Sequence, residues 1–195
     1  MNAVDFFKDY QDLFVSDNLP ILKVAWKNRD RFTKEIIPLI EKILKEHNYA
    51  EEHQREYYRI DVIGWSDRKQ DLKKITKPEN YPLKEHFWEL GVAIEHENDM
   101  LDWTDELVKL LYVNCPLRIV IGYYPEDAEE QLRQALEYAS DVVSLANAQN
   151  TLIREDQEYV LILGNNHQNP EYLNKNTYSA YIYNNLFKKF VPLIS

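Results

Sequence analysis

Residues 87–97 read FWELGVAIEHE, an apolar stretch that closes on two glutamates either side of a histidine. Side chains alternate along an extended chain, so Ala93, Glu95 and Glu97 share one face while Val92, Ile94 and His96 share the other. A strand with one wet face carries charge along its whole length. Here the charge arrives together at one end, the pattern of a buried strand whose terminus opens onto something polar. Upstream, REYYRIDVIGW (55–65) is rich in aromatic and β-branched residues and reads as a strand ending near Gly64. It frames Asp61 with apolar neighbours. Pairing of these two strands would bring Asp61 and Glu95 to one point.

The pattern extends outward on both sides. FTKEIIPLIEKILKEHNY (32–49) spaces Ile36, Leu39, Ile40, Ile43 and Leu44 as a helix, with Thr33 as its N-cap. Pro38 falls in the second turn and predicts a kink or a later start. The polar connection SDRKQDLKKITKPENYPLKEH (66–86) is expected to hold a turn or short helix and a further strand. DWTDELVKLLYVN (102–114) reads as a helix with Asp102 at its N-cap and Trp103, Leu107, Leu110 and Leu111 on one face. LRIVIGYY (117–124) is a strand between two prolines, and 126–150 is a long amphipathic helix. EYVLILG (158–164) and YSAYIYNN (178–185) are strands. This order predicts an α/β fold, a mixed central β-sheet flanked by helices, in a single domain over 1–195.

Composition narrows the function. The chain is 45% hydrophobic and 13% aromatic, which fits a folded protein. Its 23 Lys and Arg stand against 33 Asp and Glu, a net charge of -10, which argues against a generic nucleic-acid coat. Two local basic islands run the other way: Arg68, Lys69, Lys73, Lys74 and Lys77, and Lys23, Lys27, Arg29, Arg31 and Lys34. Either island can guide a phosphate backbone, or simply offset acidic neighbours. The lone Cys115 excludes a disulfide framework and a multi-cysteine zinc site. With no basic residue beside it, it reads as a small buried hydrophobe.

Neither G-x-G-x-x-G nor a P-loop occurs, and the five histidines show no metal spacing. The first residues are acidic and mixed, unlike a signal peptide, and no run reaches the length of a membrane span. A cytoplasmic protein without a membrane partner is the expectation. Tyr181 and Tyr183 alternate in the last strand, placed for packing, for edge pairing with a second copy as a homo-oligomer, or for stacking on bases.

Two carboxylates on one strand face repel unless a cation or a proton lies between them. Oxygens from Asp61, Glu95 and Glu97 suit a hard divalent ion such as Mg²⁺ or Mn²⁺. The plainer alternative is that the carboxylates meet water at a strand end, or pair with lysines of 68–77.

YYRIDVIGW, followed by VAIEHEN, a helix and LRIVIGYY, resembles the PD-(D/E)xK nuclease superfamily over about residues 30–124. The resemblance implies a restriction-endonuclease-like α-β-β-β-α-β core, here about 30–164, with a C-terminal strand extension over 165–195. It implies that Asp61 and Glu95 are metal ligands of a phosphodiesterase acting on DNA or RNA. Glu97 falls where the family usually has its lysine, and would serve as a third ligand or as base for the attacking water. Lys109 is the candidate for a migrated lysine. At about 100° per residue it lies roughly 240° from Trp103, off the apolar stripe, on either a solvated surface or a cleft wall. A helical glutamate, Glu35, is a further candidate. The alternative implied by the missing motif lysine is a catalytically inactive nuclease-fold protein acting as a binding or regulatory partner.

Overall fold

The computed structural model describes residues 1–49, 59–67, 88–99, 102–125, 128–149, 157–165 and 169–193. Three helices come first: α1 (Ala3–Asp12), α2 (Leu19–Ala25) and α3 (Arg29–Glu46). Strand β1 (Val62–Asp67) and β2 (Trp88–His96) follow, then helix α4 (Trp103–Leu111), β3 (Leu117–Tyr124) and helix α5 (Glu129–Gln149). The chain closes with β4 (Glu158–Asn165), a 3-10 turn (Pro170–Tyr172), β5 (Tyr178–Asn184) and β6 (Lys189–Pro192).

The six strands form one open mixed sheet in the order β1-β2-β3-β4-β5-β6. The β1–β2 pair is antiparallel, β2–β3 and β3–β4 are parallel, and β4–β5 and β5–β6 are antiparallel. Parallel neighbours need a crossover, and α4 and α5 supply the two. Both lie on the same sheet face, packed with Ile63, Ala93, Val120, Leu161 and Leu163. The opposite face, through Val62, Val92, Ile94, Ile119, Ile121 and Ile162, packs on α1, α2 and α3. Successive residues of the central strands are thus buried on alternate sides, which is why those strands are continuous apolar runs.

The sequence expectations meet this architecture unevenly. β3 matches its predicted bounds, and β2, β4, β5 and α5 differ by a few residues at their ends. Helix α3 starts at Arg29, ahead of the expected residue 32, because Asn28 and not Thr33 caps it, its side chain accepting from Arg31 N at 2.9 Å. It then runs through Pro38. The two N-terminal helices went unread, although Asn2 and Asp5 form a reciprocal capping box. Strand β6 was also missed. It, and not β5, is the sheet edge on that side, so Tyr183 is buried and hydrogen-bonds the Ser144 hydroxyl at 2.7 Å. The strand expected within 66–86 falls outside the described residues. Among the described residues, no helix is long and apolar enough to cross a membrane.

Candidate active site

The antiparallel register sets β1 beginning where β2 ends, with Val62 opposite Ile94. Asp61 immediately precedes β1 and Glu95 is the penultimate residue of β2, so the two carboxylates meet at one sheet end. The His96 N–H donates to Asp61 Oδ2 at 2.8 Å, which fixes the aspartate against the edge of β2. Glu95 is 1% exposed, on the face covered by α4. His96, one residue on, is buried in the opposite layer, where Nε2 lies 3.2 Å from the Tyr123 hydroxyl.

Helix α4 contributes the cation. Its N-terminal turn sits directly on the sheet, since a Cβ on Gly122 would lie 2.6 Å from Trp103 Cβ. With the apolar stripe of Trp103, Leu107 and Leu110 buried against the strands, the side off the stripe faces the strand end. Lys109 Nζ lies 2.6 Å from Glu95 Oε1 and 2.5 Å from Glu106 Oε2. It donates a hydrogen bond to the Arg59 carbonyl at 2.8 Å. The two ion pairs are close but off hydrogen-bond alignment, leaving Glu95 Oε1 and Glu106 Oε2 buried without an aligned donor.

Three carboxyls around one ammonium carry excess negative charge in a poorly solvated place. Burial lifts Glu95 from 4.5 to about 8, with Lys109 pulling it down and Asp61 and Glu106 pushing it further up. Asp61 is raised as well, first by burial, against the His96 N–H and Lys109. Lys109 is itself raised: its burial works against the charge, but Glu106 and Glu95 outweigh it. Burial and the excess of carboxyls thus favour a proton shared within the Asp61–Glu95 pair.

Of the residues singled out in the sequence, Asp61, Glu95 and Lys109 come together. Glu97 does not join them. Strand β2 ends at His96, and beyond it the Glu97 carboxylate turns back to accept the Asp99 N–H at 2.7 Å. The Glu97 backbone N–H still bonds the Ile121 carbonyl at 2.8 Å, so what sets this residue apart is its carboxylate, taken by the Asp99 N–H. Glu35 lies on α3, which packs on the other sheet face. Among the described residues, no group of three or more His, Cys, Asp or Glu is arranged to hold a metal.

The helical wheel sets Glu106 on the same side as Lys109, while the Arg59 carbonyl has no counterpart in the sequence reading. Glu106 precedes Lys109 by one helical turn, so its place beside the lysine was available from spacing. Arg59 adopts a φ of 62°, and nothing in an arginine announces a left-handed backbone. The basic island Arg68–Lys77 lies outside the described residues. Within the other, Lys23 pairs with Glu171 at 2.9 Å and Arg29 with Asp99 at 2.8 Å. Cys115 is buried, and its thiol is pushed up to about 11. A basic neighbour does exist, Arg118, but burial outweighs it.

No family model, curated protein or solved structure matches the chain.

Proposed function

We propose that this chain is a metal-dependent phosphodiesterase of the nuclease type, acting on DNA or RNA through Asp61, Glu95 and Lys109. One observation carries the reading: a carboxylate just ahead of β1, a second from the end of β2 and a lysine from the following helix meet at one sheet end. The order α3, β1, β2, α4 and β3 follows a restriction-endonuclease-like core except that, among the described residues, two strands and not three precede α4. That finer fold assignment is part of the proposal.

The donor set fits a hard divalent ion. Mg²⁺ and Mn²⁺ take one or two carboxylates and fill their other positions with water and substrate phosphate. Asp61 and Glu95 would hold the ion, with Glu95 Oε1 giving up the Lys109 ammonium that lies 2.6 Å from it. When bound, such an ion withdraws charge from the scissile phosphate and lowers the pKa of the attacking water. The protein's part is then definite. The His96 N–H orients Asp61, the α4 packing sets Lys109, and its ammonium faces the charge that develops on the phosphate. Glu97, turned to Asp99, is left out of this chemistry.

The test is cleavage of single-stranded and duplex DNA and of RNA in Mg²⁺ or Mn²⁺. Asp61→Asn and Glu95→Gln are each expected to lower the rate at least a hundredfold with the fold retained. Wild-type rates in the double variant overturn the assignment. A second reading, a silent binding protein on the same scaffold, draws on Leu186 and Phe187, 83% and 62% exposed at the β5–β6 turn. It predicts no metal-dependent turnover.

A further inference from the structure

We infer that Lys109 is the resident cation of this site, and that its ammonium and a divalent metal exclude each other at Glu95. The inference rests on the reading of Asp61 and Glu95 as metal ligands. It concerns what happens before a metal arrives, and why the wild-type site binds one more weakly than its carboxylates alone would.

Lys109 Nζ is surrounded by three oxygens from three separate segments: Glu95 Oε1 at 2.6 Å, Glu106 Oε2 at 2.5 Å and the Arg59 carbonyl at 2.8 Å. Hard oxygens gathered from strand, helix and loop are the surroundings that a hard metal cation prefers, and here an ammonium holds them. Glu95 is too deeply buried to stand charged without a cation or a proton beside it. Among the described residues Lys109 is the basic side chain that reaches it. A divalent ion on the same carboxylate would put three positive charges within a few ångströms of one another, so one of the two cations must give up Glu95.

The structure gives the lysine a place to go. Its aligned hydrogen bond runs to the Arg59 carbonyl, and Glu106 lies on its own helix one turn away, so both hold it once Glu95 lets go. Arg59 sits at a φ of 62°, a backbone conformation rare for a residue with a side chain, and its carbonyl is what Lys109 meets. Release of Glu95 is thus a short shift of a third-exposed side chain, and the ammonium stays at the site.

The experiment is calorimetric titration of Mn²⁺ into the full chain at fixed pH and salt, comparing wild type, Lys109→Met, Lys109→Arg and Asp61→Asn. Lys109→Met removes the competing charge at similar length and is expected to bind Mn²⁺ at least tenfold tighter than wild type. It should also gain more thermal stability from added Mn²⁺. Lys109→Arg keeps the charge and is expected to bind no tighter than wild type, which also covers the case in which the methionine variant does not fold. A methionine variant that binds no tighter than wild type, or an arginine variant that binds ten times tighter, overturns the exclusion. Asp61→Asn tests the underlying reading separately. Undiminished Mn²⁺ binding there removes the metal site, and the exclusion with it.

Discussion

Glu95 is a carboxylate only 1% exposed, and its burial has a measurable consequence. Burial disfavours its charge and pushes the carboxyl up from 4.5 to about 8. Across that interval the native state holds a proton that the unfolded state has lost, so this group's contribution to stability falls as pH rises from about 4.5 to 8. His96 acts in the opposite sense. Burial lowers it from 6.5 to about 4, so stability falls as pH drops through that range. Between 6.5 and 8 Glu95 acts without His96. Denaturant unfolding should show stability declining there by up to about 1.4 kcal/mol per pH unit, the limit for one proton. Glu95→Gln should flatten the decline, and an unchanged slope in that variant would show that the proton resides elsewhere. Asp61 and Glu95 were legible in the sequence because carboxylates inside apolar strands are costly without a reason. The Arg59 carbonyl was not legible, since backbone oxygens leave no mark on composition.

At the scale of elements, the site depends on where helix α4 rests. A Cβ on Gly122 would meet Trp103 Cβ at 2.6 Å and Trp103 Cγ at 2.8 Å, so the helix lies as close to β3 as a glycine permits. Gly122→Ala should therefore push α4 outward, cost about 1–3 kcal/mol of stability through overpacking, and weaken the Lys109–Glu95 contact. Unfolding together with Mn²⁺-dependent cleavage would read both effects. Stability and cleavage both at wild-type level would show that α4 has slack. Strands β2 and β3 were readable because a sheet covered on both faces requires continuous apolar runs, whereas the strand expected over 55–65 runs instead from Val62 to Asp67 and leaves Asp61 just ahead of it. Lys109 was not assignable from the same periodicity. A helical wheel shows that it lies off the apolar stripe, and which neighbour that side meets depends on how α4 crosses the sheet. The capture of the Glu97 carboxylate by the Asp99 N–H is likewise invisible to the alternation that grouped Glu97 with Glu95. The N-terminal helices were a different case: Phe6, Phe7, Tyr10, Leu13 and Phe14 carry a plain helical period that went unread.

For the whole molecule, the sheet's sequential strand order brings the start of β1, the end of β2 and the flank of α4 to one rim, so residues far apart in sequence make one site. The acidic balance, a net charge of -10, limits nucleic-acid contact to local basic surface. Such contact should fall steeply with added salt. Under the proposed function Asp61, Glu95 and Lys109 form the working set and Glu97 stands outside it. The most direct measurement is single-turnover cleavage of a labelled nucleic acid in saturating Mn²⁺, comparing Lys109→Ala with Glu97→Ala. The account predicts a loss of about a hundredfold or more in Lys109→Ala, the scale for removing one group that stabilises developing charge, with Glu97→Ala near wild type. Loss in Glu97→Ala with Lys109→Ala unaffected would contradict it.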